Sequence, residues 1–271
     1  SWMYRLWKVR MVGAAFGKVL PFSAFGGAPI KGFLLKKRYG ISYREGAASI
    51  ILIETTHLIS MIFFMASGVF LISLIPDFPR NYLTFSKISL GLLSLGIFGF
   101  YIVQRYKLTS VIGHWVSQMA LGHRVKKFLS HLQEFDERLV HFYTLKRPLF
   151  FGAMALNLLN WYLGALEIYI ILYFLGHPIS IAEAIILETL VEIVRAGTFF
   201  IPGTLGTQEA AFLLATGAIT GEPALGVAAA MMRRVREIIW FIFGFSLGWQ
   251  YSGNPSKLAQ VAQNKIRSET D

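Results

Sequence analysis

The sequence predicts an all-α, polytopic integral membrane protein with about four full transmembrane helices and two re-entrant hairpins in an inverted repeat. Composition is the first observation: of 271 residues, 55% are hydrophobic and 15% are charged, and the mean hydropathy is +0.54. Soluble domains carry about 25% charged residues. The second observation is a pair of proline and glycine breaks within apolar sequence, one near Pro21 and one near Pro202. Both interrupt helical patterns that are otherwise suited to a bilayer.

The N-terminal region, residues 1–45, combines short apolar pieces with nine basic residues and one acidic residue. Each apolar piece is too short to cross a bilayer, which needs about 20 residues. A break lies between the two pieces and contains Pro21, Gly26 and Gly27. We therefore predict a hairpin that enters the membrane and returns to the cytoplasmic side.

Apolar stretches then follow that are predicted to cross the membrane. They comprise residues 47–75, 88–103, 149–175 and 224–251. Residues 105–147 carry eight basic and three acidic residues, with apolar residues at helical spacing. This pattern predicts a cytoplasmic amphipathic helical segment.

The distribution of basic residues predicts the orientation. Residues 1–45, residues 105–147 and the polar tail 252–271 carry nine, eight and three Lys or Arg residues. The segments predicted to lie on the other side are residues 76–87, 176–180 and 220–223, and they carry two, none and none. Because cytoplasmic segments are rich in Lys and Arg, the C-terminus is predicted to be cytoplasmic.

The second break lies between two short helical patterns, residues 181–200 and 210–219. It contains Pro202, Gly203 and Gly206, followed by Gln208 and Glu209. An interrupted helix at membrane depth needs protein or water around its unpaired backbone groups. Its second half offers N–H donors to an anionic group, although a carboxylate at that position would compete for them.

The two breaks resemble copies of one unit. Pro21 precedes Gly46 by nearly the same spacing that separates Pro202 from Gly226, and both glycines open long apolar helices. Opposite charge bias around the two units predicts an inverted repeat. Residues 1–251 are thus predicted to form a single transmembrane domain, with a first repeat over about 9–75 and a second over about 181–251.

Charged residues accompany the second break. Glu188, Glu192 and Arg195 share one helix face, while Arg233, Arg236 and Glu237 are assigned to a second face, with Arg234 turned aside. Charge at the bilayer centre costs at least about 2.5–3.5 kcal/mol per residue. The group is therefore interpreted either as ion pairs that join the helices or as an arginine-lined cavity for a lipid phosphate.

The candidate residues fall into two sets. The predicted substrate-binding residues are Arg195, Arg233, Arg236, Gly203, Gly206, Gln208, Pro21, Gly26, Gly27 and Lys31. The residues predicted to balance charge or couple protons are Glu188, Glu192, Glu209, Glu237, Glu54 and His57. No spacing typical of a metal site, a phosphate-binding glycine loop or a catalytic nucleophile is present, so no cofactor, metal or catalytic residue is expected.

Several motifs resemble the flippase-like family related to the transmembrane domain of lysylphosphatidylglycerol synthase, including its hopanoid-associated branch. They are the segments at residues 20–31, 44–48, 163–167, 195–202 and 206–209. The resemblance implies a multi-pass protein of the bacterial inner membrane that moves a modified phospholipid or a polyprenyl-linked lipid. Members of this family usually have further N-terminal helices, and this chain begins with Ser1, so we expect preceding membrane segments to be missing from it.

The function predicted from the sequence is therefore transport of an anionic or phosphate-bearing lipid between leaflets, without catalysis. Two alternatives stay open: a membrane-embedded enzyme acting on a lipid phosphate, and an accessory subunit that presents lipid to a partner enzyme. The expected partner is a membrane lipid rather than nucleic acid. A homo-oligomer and a lipid-modifying partner enzyme are both compatible with the sequence.

Overall fold

A computed structural model describes residues 2–17, 31–36, 39–41, 43–76, 78–105, 147–198, 200–201 and 204–252. Helices are the only regular secondary structure in these residues. They are α1 (Trp2–Gly17), α2 (Tyr43–Ser73), α3 (Arg80–Arg105), α4 (Arg147–Phe174), α5 (Ile181–Gly197), α6 (Thr207–Thr220) and α7 (Pro223–Ser252). Residues 31–36 are also helical.

Three of these helices are long and apolar enough to span a membrane, by length and composition. They are Ala48–Ser73 within α2, Arg80–Ile102 within α3, and Arg147–Phe174, which is α4. The fourth predicted crossing forms as the 30-residue α7 but is not among the three. Charged side chains in the middle of α7 lower its hydropathy, so its crossing stays a prediction.

Two helix boundaries differ from the sequence prediction. α3 begins at Arg80, well before the predicted start at residue 88. Tyr82 N–H donates to Pro79 O at 3.0 Å, which closes a turn directly after Pro79, and the polar residues that follow continue the helix. α5 ends at Gly197, before Pro202. The Thr198 backbone N–H and hydroxyl both donate to Val194 O, which closes the last turn.

The described residues divide into two compact units, residues 1–50 with 165–271 and residues 51–164. In the first unit α1 packs closely against α7, since a Cβ added at Gly244 would lie 2.7 Å from Met11 O. A core of buried residues joins these helices to the helical segment at residues 31–36. Its members are Val9, Val12, Leu34, Leu35 and Leu247.

α5 and α6 form a helical hairpin in the first unit. Helices of 17 and 14 residues are about 25 and 21 Å long, shorter than a bilayer core of about 30 Å. His177 precedes α5 and Glu222 follows α6, and His177 Nε2 lies 3.6 Å from Glu222 Oε2. The residue before α5 and the residue after α6 are therefore close together, as expected of a re-entrant hairpin.

Two glycine contacts in the first unit have the same spacing in the sequence. The Cα atom of Gly32 is 3.9 Å from the position of a Cβ at Gly46, and the carbonyl oxygen of Phe212 is 2.2 Å from the position of a Cβ at Gly226. The same number of residues separates the members of each pair. In both places a short helical segment thus packs against a glycine near the start of a long helix. That the two form an inverted repeat stays a prediction.

In the second unit, α2 and the first part of α4 pack through polar and aromatic side chains. Asn157 Nδ2 donates to Thr56 Oγ1 at 3.3 Å, and Ser60 Oγ donates to Met154 O at 3.0 Å. The Trp161 ring stacks on His57 with 4.9 Å between ring centroids. α3 instead exposes most of its apolar side chains, as expected of a helix that faces lipid.

Several predicted features lie outside the described residues. They are the breaks at Pro21, Gly26, Gly27, Pro202 and Gly203, almost all of the amphipathic segment at 105–147, and the tail after residue 252.

Candidate functional site

Arg233 is the most deeply buried cation among the described residues. It comes from the middle of α7, and its side chain is 3% exposed. Its Nη2 lies 2.8 Å from Glu188 Oε2 on α5, and its Nε lies 3.4 Å from Glu167 Oε2 on α4. The guanidinium also lies over the ring of Phe212 on α6, 5.2 Å from the ring centroid. One side chain therefore connects α7 to three other helices.

Arg236, one turn further along α7, shares the same acidic partner. Its Nη1 contacts Glu167 Oε2, and its side chain is 47% exposed, against 22% for Glu167. Because Glu167 bridges a buried and an exposed arginine, it links the interior of this cluster to its surface.

Glu192 and Arg195 form a separate pair on α5. The two residues are three apart in the helix, and Arg195 Nη1 contacts a Glu192 carboxylate oxygen. Glu192 is buried, whereas a third of the Arg195 side chain is exposed. The arginine side chain is therefore partly accessible while its partner is buried.

The connection between α5 and α6 holds tight turns where it is described. Ile201 N–H donates to Thr198 O, and Thr204 N–H donates to Ile201 O, each at 3.0 Å. Thr204 has a φ of 49° and Gly206 a φ of 80°. A left-handed conformation is strained for threonine but ordinary for glycine, so this connection concentrates backbone strain just before α6.

The start of α6 is held by a carboxylate. Gly206 N–H donates to Glu209 Oε2 at 2.9 Å, and the other carboxylate oxygen of Glu209 lies 2.5 Å from Arg234 Nε. Arg234 also donates to Glu237 Oε2 at 3.1 Å and to Thr204 O at 3.2 Å. The helix end that the sequence offers to an anionic ligand is thus occupied by the protein's own Glu209.

Five buried side-chain atoms on α5 and α6 have no hydrogen-bond partner among the described residues, and two of them, Glu188 Oε2 and Arg195 Nε, belong to ion-paired side chains. The three in uncharged side chains are Gln208 Nε2, Thr189 Oγ1 and Thr216 Oγ1. Buried polar groups are normally paired, because an unmade hydrogen bond costs about 1–3 kcal/mol. Exceptions of this kind point to a strained or ligand-binding region.

Acidic residues outnumber basic ones in this cluster. The arginines are Arg195, Arg233, Arg234 and Arg236, and the carboxylates are Glu167, Glu188, Glu192, Glu209 and Glu237. Every arginine of the four already contacts a carboxylate. The two interpretations made from the sequence, ion pairs that join helices and a cavity for a lipid phosphate, therefore concern the same residues. A phosphate that bound here would have to share an arginine with a carboxylate or replace that carboxylate.

The structure changes one assignment made from the sequence. Glu237 pairs with Arg234, which the sequence turned aside, rather than with Arg233 or Arg236. Arg234 and Glu237 are three residues apart on α7, so their side chains can meet. Arg234 also contacts Thr204 O, in the connection before α6. Arg234 is therefore a site residue that sequence reasoning missed.

Glu167 is the second missed residue. It lies on the same helix as Asn157 and Trp161, which pack against α2. An acidic residue in an apolar helix near several intramembrane arginines was the available signal, since such charges are expected to pair.

The remaining predicted residues have other surroundings. Gly206 is exposed and begins α6, and Gln208 is buried in its first turn. The Lys31 side chain lies against Gly13 of α1, where an added Cβ would be 2.4 Å from Lys31 Cγ. Glu54 and His57 belong to the other compact unit, on α2. Within the part of the chain that the structure describes, no group of three acidic or histidine side chains could hold a metal ion.

Comparison with known proteins gives one match. The family model described as the lysylphosphatidylglycerol synthase TM region matches residues 3–245. No curated protein and no solved structure shows significant similarity to the chain. The matched range includes every helix and ion pair of the cluster described above.

Proposed function

Because the chain belongs to the lysylphosphatidylglycerol synthase transmembrane family, we propose that it moves a phosphate-bearing anionic lipid between the leaflets of a bacterial inner membrane. A modified phospholipid or a polyprenyl-linked lipid fits this class. The protein is related to a family concerned with lipid modification or transport, and its apolar helices support a membrane location.

The observation that carries the proposal is the arginine and glutamate cluster around the α5–α6 hairpin. Charged groups inside a membrane protein are expensive and mark the pathways of polar substrates. Here four arginines lie on α5 and α7, next to an interrupted helix. Guanidinium groups suit a lipid phosphate, since their planar fork binds two oxygens at once.

The arginines have different roles in this proposal. Arg233 is sealed among Glu188, Glu167 and Phe212, so it anchors the helices. Arg195 and Arg236 are partly exposed and can exchange a carboxylate contact for a phosphate contact. Carboxylates released in that exchange balance charge, and Glu192, which is buried beside Arg195, is one of them.

Transport can be tested by leaflet exchange of fluorescent short-chain phosphatidylglycerol in reconstituted vesicles. We expect the wild-type protein to accelerate exchange. Arg236→Gln should reduce the rate about tenfold or more, since losing one charge-assisted contact is worth roughly 1.5–3 kcal/mol. Arg80→Gln, at the exposed start of α3 in the other compact unit, is the matched control and should leave the rate unchanged.

The same assay separates the alternatives. Recovery of the lipid in chemically altered form would indicate an enzyme. Exchange only after addition of a second protein would indicate an accessory subunit. Exchange that persists unchanged in Arg236→Gln would contradict the assignment of this arginine to the substrate path.

A further inference from the structure

The two short helices of the hairpin begin with the same kind of cap. At α5, Glu183 Oε2 accepts from the N–H of Ser180 at 2.7 Å, and the Ser180 hydroxyl accepts from Glu183 N–H. At α6, Glu209 Oε2 accepts from Gly206 N–H, and glycine has no side chain to return the bond. The cap of α5 is thus reciprocal, and that of α6 relies on a glutamate alone.

The second difference is an arginine. Glu183 makes no ion pair in the described part of the chain, whereas the carboxylate of Glu209 bridges the start of α6 and Arg234. One carboxylate oxygen accepts from a backbone N–H at a helix N-terminus, and the other accepts from a guanidinium. A phosphate group makes the same contacts when it binds at a helix N-terminus beside arginine.

A third donor lies beside the same connection. Gln208 is 1% exposed, and its Oε1 accepts a hydrogen bond from Thr204 Oγ1 at 3.3 Å. Its Nε2 has no hydrogen-bond partner among the described residues. Since Arg234 donates to the carbonyl of that same Thr204, the unused amide donor lies at the connection that Arg234 and Glu209 hold.

Accessibility separates this group from the buried one. The side chains of Arg234 and Glu209 are 16% and 21% exposed, whereas that of Arg233 is 3% exposed. A ligand can therefore reach Arg234 without dismantling the helix packing around Arg233.

We propose that Glu209 is an internal stand-in for a phosphate group. A phosphate displaces the Glu209 carboxylate from Arg234 and from the N-terminus of α6, and Gln208 Nε2 donates to it. Glu209 then swings away, and the charge of the site is kept. Ligand binding and release of the α6 cap become one exchange step, so the empty site is closed by its own carboxylate.

This inference deepens the proposed function by naming the group recognised at the break, and it makes a claim about binding alone. The test uses the full chain purified in detergent, with inorganic phosphate as the probe and titration calorimetry as the readout. Glu209→Gln keeps the size of the side chain and an acceptor for Gly206 N–H but removes the competing charge. We expect this variant to bind phosphate at least tenfold more tightly than the wild type.

Glu183→Gln is the matched control, because it alters the same capping position on α5 without an arginine partner. It should bind phosphate as the wild type does. Adding Gln208→Leu to Glu209→Gln should cancel most of the gain. Equal phosphate affinity in Glu209→Gln and Glu183→Gln would overturn the proposal and reduce Glu209 to a structural cap.

A second variant covers the case in which Glu209→Gln does not fold. Glu209→Asp keeps the charge but is too short to span Gly206 N–H and Arg234 together. It should bind phosphate more tightly than the wild type, by a smaller factor than Glu209→Gln. Unchanged affinity in Glu209→Asp would overturn the proposal independently.

Nanodiscs of two lipid compositions distinguish a lipid headgroup from free phosphate as the natural ligand of this site. In nanodiscs of a phosphate-free glycosyldiacylglycerol with added phosphatidylglycerol, inorganic phosphate should bind Glu209→Gln more weakly than in the glycosyldiacylglycerol alone, because the phosphate of the lipid headgroup competes. That outcome supports a lipid ligand. Equal phosphate binding in both nanodiscs would overturn the lipid source, and with it the link to transport, while leaving the phosphate site standing.

Discussion

Arg233 and Arg236 show how burial divides the roles of two arginines on one helix turn. Both contact Glu167, but only Arg233 also holds Glu188 inside the protein. Removing one partner of a buried pair leaves an uncompensated charge, whereas an exposed pair contributes little. The stability of the protein should therefore depend on Arg233, and the rate of transport should depend on Arg236.

We predict that Arg233→Met lowers the free energy of unfolding by about 3–5 kcal/mol, because Glu188 stays buried without its cation. Replacing both partners, in Arg233→Met/Glu188→Met, should recover most of that loss. Arg236→Met should change stability by about 1 kcal/mol or less. Unfolding of the purified protein in mixed detergent measures all three.

Equal destabilisation by Arg233→Met and Arg236→Met would contradict this division. So would a double variant less stable than Arg233→Met alone, since that would show that Glu188 has another essential partner.

At the residue scale the sequence predicted which charges matter better than how they pair. Glu188, Glu192, Arg195, Arg233 and Arg236 all lie in the cluster as expected. Their partners depend on the positions of neighbouring helices, and the spacing of residues within one helix does not give those positions. Arg234 was placed outside the cluster for that reason, because it meets Glu209 on another helix. Glu167 was not among the candidates, and it meets Arg233 on another helix.

At the scale of the helices, close packing between α6 and α7 depends on Gly226. A Cβ at this position would lie 2.2 Å from Phe212 O, a backbone atom that cannot move aside cheaply. α6 carries Glu209 and α7 carries Arg234, so the packing at Gly226 also sets the distance between these two side chains.

We predict that Gly226→Ala destabilises the protein by about 1–3 kcal/mol, the usual range for overpacking. Gly91→Ala on α3 is the matched control, since no atom lies within 4 Å of its added Cβ. That change should be neutral or stabilising by up to about 1 kcal/mol, because alanine favours helix. Thermal unfolding of both variants in detergent compares them.

A Gly226→Ala variant as stable as Gly91→Ala would contradict the close approach of α6 and α7 at this glycine.

Helix positions followed from the sequence to within a few residues, with clear exceptions. Apolar length and turn residues place α2, α4, α6 and α7 closely. The early end of α5 did not follow, because Thr198 stops that helix through hydrogen bonds to Val194 that apolar patterning does not show. The early start of α3 shows the converse, where polar residues after Pro79 continue a helix.

At the scale of the whole molecule, the contact between His177 and Glu222 bears on orientation. Both residues lie in turns that the sequence places outside the cytoplasm, and the structure brings those turns together. The charge bias of the segments predicts that this side faces away from the cytoplasm and that the C-terminus is cytoplasmic.

The chain contains no cysteine, so single introduced cysteines can report on this orientation without background. In inner-membrane vesicles of known orientation, a membrane-impermeant maleimide should label Glu222→Cys from the periplasmic side only. It should label Lys257→Cys from the cytoplasmic side only. Labelling of both residues from one side would contradict the predicted crossing by α7.

The central claim is that the protein recognises the phosphate of the lipid it moves. The most direct measurement compares leaflet exchange of fluorescent phosphatidylglycerol with that of a phosphate-free glycosyldiacylglycerol of the same chain length, in vesicles containing the wild-type protein. The account predicts accelerated exchange of phosphatidylglycerol and a glycolipid rate equal to that of protein-free vesicles. Equal acceleration of both lipids, or of neither, would contradict it.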